Sequence, residues 1–465
     1  MKYISTRGNS PALSFIEVVT SGLAKDGGLY MPDSVPNFSN KEISGWKHLS
    51  YTELAEKIMI PYIGEEIKTV YLRKIIKDSY SEFHHPEIAP LHKLSDNKYV
   101  LELFHGPTMA FKDFALQFLG RILNHVLENK KEDVIIIGAT SGDTGSAAIE
   151  GCKNCKHIEL FMLHPHGKVS DVQRKQMTTV DSPNIHNLAI EGNFDDCQDM
   201  VKEMFFHPEF AGKRRLVAVN SINWVRIMAQ IVYYFYAALK VGSPEHKISF
   251  AVPTGNFGDI FAGYMASKMG LPIEKLIVAT NKNDILHRFF TKNDYSKKGV
   301  SQSYSPSMDI QVSSNFERLL FELYNRDGKE VSSLMDKFKL EGKLSVTKEV
   351  FEKALNIFSS HTADDDEIVN IIKNTYENNN YISDPHTATA ISSVKEVNLK
   401  EPHIILATSH PAKFPAVIEK SIGLCPNLPD YIGSLFEKEE KFTKLSNNIE
   451  EVKKYIKDSS SLSSH

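Results

Sequence analysis

From about residue 130 the chain alternates short, near-continuous apolar runs with amphipathic stretches of helical period, and this alternation restricts the fold more than any other feature. The runs lie at 134–138, 158–163, 185–190, 247–252, 276–280 and 403–408. Unbroken apolar runs belong to strands buried on both faces, as in a parallel sheet covered by helices on each side. Between them lie helical patterns such as 224–239 and 259–269. Parallel neighbours need crossovers, so the reading is an α/β fold with right-handed connections. The first 95 or so residues read differently, as a helix-rich region with turn signals at Asp26-Gly27-Gly28 and Pro32-Asp33, interrupted later by Pro61, Pro86 and Pro90. Residues 291–304 read as a polar, exposed connection and 359–383 as a solvated helix and loop. Residues 437–465 read as a surface helix followed by a disordered tail.

Composition removes whole classes of function. At 465 residues the chain has room for two or three domains. Its 54 Lys and Arg against 58 Asp and Glu leave a net charge of −4, which gives no electrostatic case for nucleic acid. Four cysteines, Cys152, Cys155, Cys197 and Cys425, are too few for a disulfide framework. Cys152 and Cys155 form a Cys-x-x-Cys with no second pair and only His157 nearby, so they read as ordinary thiols near a turn and no metal is expected. No stretch approaches the ~18 apolar residues that span a bilayer. Residues 1–8 lack the apolar run of a signal peptide. The expectation is a soluble, cytoplasmic protein with small-molecule partners and neither nucleic acid nor membrane.

Four segments carry chemistry. In His105-Gly106-Pro107-Thr108-Met109-Ala110-Phe111-Lys112-Asp113-Phe114, a turn at Gly106-Pro107 opens a helix. Phe111, Phe114, Ala115, Phe118, Leu119, Ile122 and Val126 recur at helical steps and form its apolar face. Lys112 falls in the first turn, the unfavourable end of the helix dipole for a cation. That field and the aromatic surroundings lower its proton affinity and sharpen its amine as a nucleophile. A surface lysine paired with Asp113 is the alternative. The second segment, Gly138-Ala139-Thr140-Ser141-Gly142-Asp143-Thr144-Gly145-Ser146, joins a strand to a helix and offers N–H and hydroxyl groups to a small anion. It has neither the Gly-Lys-Ser/Thr ending of a nucleoside-triphosphate loop nor the Gly-x-Gly-x-x-Gly spacing of a dinucleotide loop.

The third segment, Pro253-Thr254-Gly255-Asn256-Phe257-Gly258-Asp259, repeats that arrangement after a second strand. Asp259 has an alternative role there as a helix cap. In the fourth, Ala407-Thr408-Ser409-His410-Pro411-Ala412-Lys413, Thr408 can offer a neutral hydroxyl to a ring nitrogen, while His410 and Lys413 read as structural or rim residues. Two anion cups and a reactive lysine point to a phosphorylated cofactor that forms a Schiff base, which is pyridoxal 5′-phosphate.

Together these segments resemble the threonine synthase family, in the branch that includes the enterobacterial and fungal enzymes. Tyr3-Ile4-Ser5-Thr6-Arg7-Gly8, Gly22-Leu23-Ala24-Lys25-Asp26-Gly27-Gly28-Leu29-Tyr30, Asn220-Ser221-Ile222-Asn223-Trp224-Val225-Arg226 and Asp384-Pro385-His386-Thr387-Ala388 are also similar, so the likeness runs from residue 2 to about 425. The resemblance implies two open, twisted parallel-sheet α/β domains of the tryptophan synthase β type (fold type II), with a helix-rich N-terminal region. The implied divisions are 1–95 for that region, 96–225 for a smaller α/β domain and 226–430 for a large cofactor-binding domain. Residues 431–465 form a C-terminal helix and tail.

The resemblance also implies roles. Lys112 is the Schiff-base lysine. Gly255, Asn256, Phe257, Gly258 and Asp259 hold the cofactor phosphate, and Thr408 bonds the pyridine nitrogen. Ser141, Gly142, Asp143 and Thr144 line the substrate side and grip its carboxylate, while Lys25, Asn220, Ser221, Asn223 and Arg226 meet its phosphate. The implied activity is that of a carbon–oxygen lyase acting on a phosphate, turning O-phospho-L-homoserine and water into L-threonine and phosphate. The alternatives are a threonine-synthase-like phospholyase that yields 2-oxobutanoate, a serine/threonine dehydratase, and a catalytically silent binding protein of the same fold. Monomer and homodimer both stay open.

Overall fold

The computed structural model describes residues 1–212, 214–218, 221–396 and 402–460. Two largely parallel sheets organise the chain. The larger has six strands in the order Phe358–Thr362, Ile273–Thr280, Ile248–Pro253, His403–Ala407, Lys98–Glu102 and Leu91–Ser95. All neighbours run parallel except the last pair, an antiparallel hairpin at the edge. The smaller has five parallel strands in the order Thr443–Leu445, Ile185–Ile190, Ile158–Pro165, Val134–Ala139 and Arg215–Ala218.

Both sheets are covered on each face, which accounts for the unbroken apolar runs. In the strand His403–Ala407, Ile404 and Leu406 join the main core while Ile405 and Ala407 join a second cluster on the opposite face. In Val134–Ala139, Val134 and Ile136 face the main core, and Ile135 and Ile137 face a third cluster. All six expected strands are present within a few residues of their expected limits.

The sequence reading differs from the structure in several places, among them the segment 291–304, where Tyr295–Ser296 pairs with Lys343–Leu344 and Tyr295 is buried. Residues 359–362 are not part of a solvated loop: Phe358–Thr362 is an edge strand paired with Ile273–Thr280, and the expected helix begins only at Asp365. The C-terminal segment is more than a surface helix. Thr443–Leu445 adds an edge strand to the smaller sheet, and Val452 and Ile456 of the helix Ile449–Ser459 are buried in that sheet's outer core. The expected tail at 461–465 lies outside the described residues. Finally, the division at 95/96 falls in a hairpin whose two strands both belong to the larger sheet, because Lys98–Glu102 pairs in parallel with His403–Ala407.

The N-terminal region is built from a ribbon, Tyr3–Ser5 with Tyr30–Pro32, and helices including Tyr51–Ile63 and Thr69–Tyr80. It is held by a buried polar clasp: Thr6 Oγ1 donates to Glu317 Oε1 at 2.6 Å and Arg7 Nη2 reaches Glu317 Oε2 at 3.0 Å. The neighbouring Arg318, fully buried, donates to the carbonyls of Tyr30 at 3.0 Å and Ile222 at 2.6 Å.

The helices Lys112–Lys130 and Asp143–Cys152 cross at a pair of glycines. A Cβ on Gly120 would lie 2.0 Å from the Gly151 carbonyl oxygen, and one on Gly151 would lie 2.3 Å from the Leu116 carbonyl oxygen. Backbone meets backbone there, so no side chain can yield. Gly120→Ala is expected to lower stability by about 1–3 kcal/mol through overpacking, measured as a reduced urea midpoint at unchanged m-value.

Candidate active site

The turn before Lys112 is tied down on two sides. Phe111 N–H donates to the Thr408 carbonyl at 2.9 Å, and Ala110 bridges to Ser409, which fixes the helix start to the exit of the strand His403–Ala407. Asp113 turns away and accepts from Thr108 N–H at 2.8 Å and Thr108 Oγ1 at 2.7 Å. Burial pushes its carboxyl up to about 7 against those two donors. Lys112, the first residue of its helix, is therefore neither a surface lysine nor paired with Asp113. Its Nζ faces Asp143 Oδ2 at 3.5 Å. Burial lowers its proton affinity, Asp143 opposes that, and the cations Lys413 and Arg226 lower it further.

The loop after Val134–Ala139 folds on itself. Thr140 Oγ1 accepts from the N–H groups of Gly142 at 3.0 Å and Gly145 at 2.9 Å, so these two are spent locally and do not point at an anion as the sequence suggested. Asp143 opens the next helix with its carboxylate fully engaged. Oδ1 pairs with Lys413 Nζ at 2.6 Å and accepts from Gln173 Nε2 at 2.7 Å. Oδ2 lies 3.5 Å from both Lys112 Nζ and Ser307 Oγ. Burial alone would raise this carboxyl, but the ammonium groups of Lys413 and Lys112 hold it well below the usual carboxylate range. An anionic, saturated side chain is no receptor for a substrate carboxylate, which leaves Asp143 only its backbone for that role.

The loop after Ile248–Pro253 is arranged differently. The carbonyls of Gly255 and Asn256 are tied outward to Ser313 Oγ at 2.7 Å and Asn315 Nδ2 at 3.0 Å. Phe257, in the left-handed region at φ +63°, buries its ring among Phe290, Phe316 and Phe358. The chain then enters the helix Gly258–Lys268, whose first N–H groups have no partner within the helix. A Cβ on Gly255 would lie 3.0 Å from the Ser307 carbonyl oxygen, so the cradle accepts only glycine without adjustment. Asp259 does not cap this helix. It accepts from Tyr233 OH at 2.5 Å and Tyr234 OH at 2.9 Å, and its Oδ2 is buried with no partner among the described residues. Burial outweighs the two phenol donors and raises its carboxyl to about 7.

One cleft gathers Lys112, Thr144, Ser221, Arg226, Thr408 and residues 255–259. Arg226 is buried in its wall, and its Nε and Nη1 have no hydrogen-bond partner among the described residues. Burial lowers this guanidinium to about 10. A desolvated cation without a counter-ion awaits an anion. Other expected residues lie elsewhere. Lys25 is exposed and does not line the cleft. Asn223 caps the helix Trp224–Val241, accepting from Val225 N–H at 2.9 Å and donating to the Val19 carbonyl at 3.0 Å. Ser141 and Gly142 are outside the lining, and Asn220 lies outside the described residues.

The cleft also holds residues that sequence reasoning passed over. Gln230 sits one helical turn from Arg226, a spacing that was available as a signal. His386, within the Asp384-Pro385-His386-Thr387-Ala388 segment, donates from Nδ1 to Asp384 Oδ1 at 2.8 Å and accepts from Ser307 N–H at 3.2 Å. Ser307 and Met308 come from a segment with no distinguishing pattern.

A buried amine, an uncompensated guanidinium and a glycine cradle at a helix N-terminus, set between two parallel sheets, fit pyridoxal 5′-phosphate. They define a fold type II pyridoxal-phosphate-dependent enzyme. Residues 86–349 match the pyridoxal-phosphate dependent enzyme family, residues 2–80 the threonine synthase N terminus and residues 387–456 the threonine synthase C-terminal region. Threonine synthase of Pseudomonas aeruginosa is 54% identical over 459 residues, covering 98% of each chain. The PLP-bound threonine synthase structure from Brucella melitensis is 46% identical with a TM-score of 0.98, covering 99% of this chain and 100% of that one. Threonine synthase-like 2 of Rattus norvegicus is more distant, at 36% identity over 95% of this chain and 93% of its own length. The chain belongs to the threonine synthase family and is a pyridoxal 5′-phosphate-dependent lyase with threonine synthase activity. Among the described residues, no helix is long and apolar enough to cross a membrane.

Asp259 carries a pH signature. Its folded pKa of about 7 lies above the ordinary value of 3.8, so between these limits the native chain holds a proton that the unfolded chain releases. Stability therefore declines as pH rises through that window. Asp259→Asn is expected to reduce the decline, measured by thermal unfolding at about pH 5 and about pH 8.

Proposed function

We propose that the enzyme converts O-phospho-L-homoserine and water into L-threonine and phosphate in the cytoplasm, with Lys112 as the residue that binds the cofactor covalently. The observation that carries this reading is the placement of the buried Lys112 amine and the unpaired Arg226 guanidinium in one cleft with the 255–259 cradle. In this reading Lys112 is the nucleophile, the 255–259 cradle takes the cofactor's phosphate and Arg226 takes the substrate's. The free thiols of all four cysteines support a reducing compartment.

When bound as a Schiff base, pyridoxal 5′-phosphate supplies a ring that delocalises the electron pair left as a proton departs from Cα. The protein's residues do the rest. In this reading the N–H groups of the 255–259 loop hold the cofactor phosphate, and Thr408 presents a neutral hydroxyl to the ring nitrogen. Lys112 would stand beside the reacting carbons and take the proton from Cα; loss of a proton from Cβ would then supply the electron pair that breaks the Cγ–O bond to phosphate, and a proton returned to Cγ would complete the methyl group. Arg226, with Ser221, meets the γ-phosphate and stabilises the charge that develops as it leaves. Asn223 serves by capping the helix that carries Arg226. Thr144, the member of its loop that lines the cleft, takes the substrate carboxylate. Water would add at Cβ, and exclusion of other water from the cleft would guard against early hydrolysis to a keto acid.

Incubation with phosphohomoserine, with threonine, 2-oxobutanoate and phosphate measured together, is expected to yield threonine and phosphate in equal amounts; 2-oxobutanoate as the main product overturns the reading. Lys112→Ala is expected to abolish turnover and to remove the borohydride-fixed label from the Phe111-Lys112-Asp113 peptide. Arg226→Ala is expected to raise KM for phosphohomoserine by about tenfold or more, with a much smaller effect on an unphosphorylated analogue.

A further inference from the structure

Lys413 is a lysine with no side-chain exposure, at the end of a short turn that follows the strand His403–Ala407. A fully buried ammonium is costly unless it is paired. Its Nζ lies 2.6 Å from Asp143 Oδ1 and donates to the Thr108 carbonyl at 2.8 Å, in the turn that leads to Lys112. Asp143 thus has a closer cation than Lys112, whose Nζ stands 3.5 Å from the other carboxylate oxygen. Two ammonium groups compete for one carboxylate, and Lys413 holds the shorter contact. We propose that Lys413 is a positioning residue for Lys112: by taking Asp143 as its own partner, it prevents that carboxylate from retaining a proton on the Lys112 nitrogen. The proposal rests on Lys112 being the residue that binds the cofactor.

The other charged groups near this nitrogen are accounted for. Asp113, next to it on its own helix, is turned to Thr108. Arg226, on the helix Trp224–Val241, adds positive charge in the same direction as Lys413. Asp259, across the cleft, is engaged by Tyr233 and Tyr234, and His386 accepts from Ser307 N–H and pairs with Asp384. Asp143 is therefore the anion that faces Lys112, and Lys413 is the residue that claims it. Burial and the neighbouring cations already lower the Lys112 amine, as a nucleophile and proton carrier requires.

The test is a pH titration of the holoenzyme's visible absorbance, which reports when the Lys112 nitrogen gains its proton. Lys413→Gln leaves Asp143 to Lys112 alone and is expected to move the midpoint upward by about one pH unit or more. Asp143→Asn removes the anion and is expected to move it downward. An unmoved or lowered midpoint in Lys413→Gln overturns the proposal, whatever Asp143→Asn does. If Lys413→Gln does not fold, Lys413→Met, which keeps the apolar stem and removes the charge, decides: a raised midpoint supports the proposal and an unmoved or lowered one overturns it. Borohydride labelling of the unaltered holoenzyme separates the two levels. A label away from Lys112 removes the reading on which the proposal rests, whereas a label on Lys112 with unmoved midpoints overturns this proposal alone.

Discussion

Charge balance away from water governs the centre of this enzyme. The Asp143 carboxylate lies between the ammonium groups of Lys413 and Lys112, and all three side chains are almost wholly buried. Removing such charges from solvent is expensive, and the cluster is stable only because each has a partner at a defined distance. Those distances require three parts of the chain to meet: the helix that begins at Lys112, the loop that leaves the smaller sheet at Asp143, and the turn that leaves the larger sheet at Lys413. The relation of the two sheets and the proton affinity of the reactive amine are thus parts of one arrangement.

The cleft has a second electrostatic feature of opposite kind. Arg226 is buried without a counter-ion among the described residues. Where the two lysines share one carboxylate, the guanidinium has none and is left with an unmet demand for negative charge. The fold carries the desolvation penalty of this arginine in advance, so that an anion arriving there finds a donor already stripped of water.

Much of this was legible in the sequence because it rests on local pattern. The central strands announced themselves as unbroken apolar runs, and the helix after Lys112 and the two glycine loops showed as turn chemistry beside a periodic face. The strands that escaped detection lie towards the edges. Phe358-Ser-Ser-His-Thr is mostly polar, and Thr443–Leu445 spans only three residues. The Leu91–Glu102 hairpin carries polar residues at an edge where no further strand covers it. Partnerships were less legible than elements. The pairing of Lys413 with Asp143 joins residues far apart in the chain, and neither has a local signature that names the other. Asn223 was assigned to the substrate phosphate by the family resemblance, whereas its side chain is used up at the start of a helix. Side-chain amides serve both ends equally well, and only the fold tells them apart.

The glycine contact between the helices Lys112–Lys130 and Asp143–Cys152 gives the charge cluster its mechanical reference. Gly120 is eight residues beyond Lys112 and Gly151 is eight beyond Asp143, which places the crossing roughly 12 Å along each axis from the charged ends. With no compliant side-chain layer between them, the two helices behave like the blades of shears riveted at that point. A methyl group at the rivet would prise the blades, and the opening would be felt at their tips as a changed spacing between amine and carboxylate. The tolerance of the reactive nitrogen is therefore set at a spot that touches neither cofactor nor substrate.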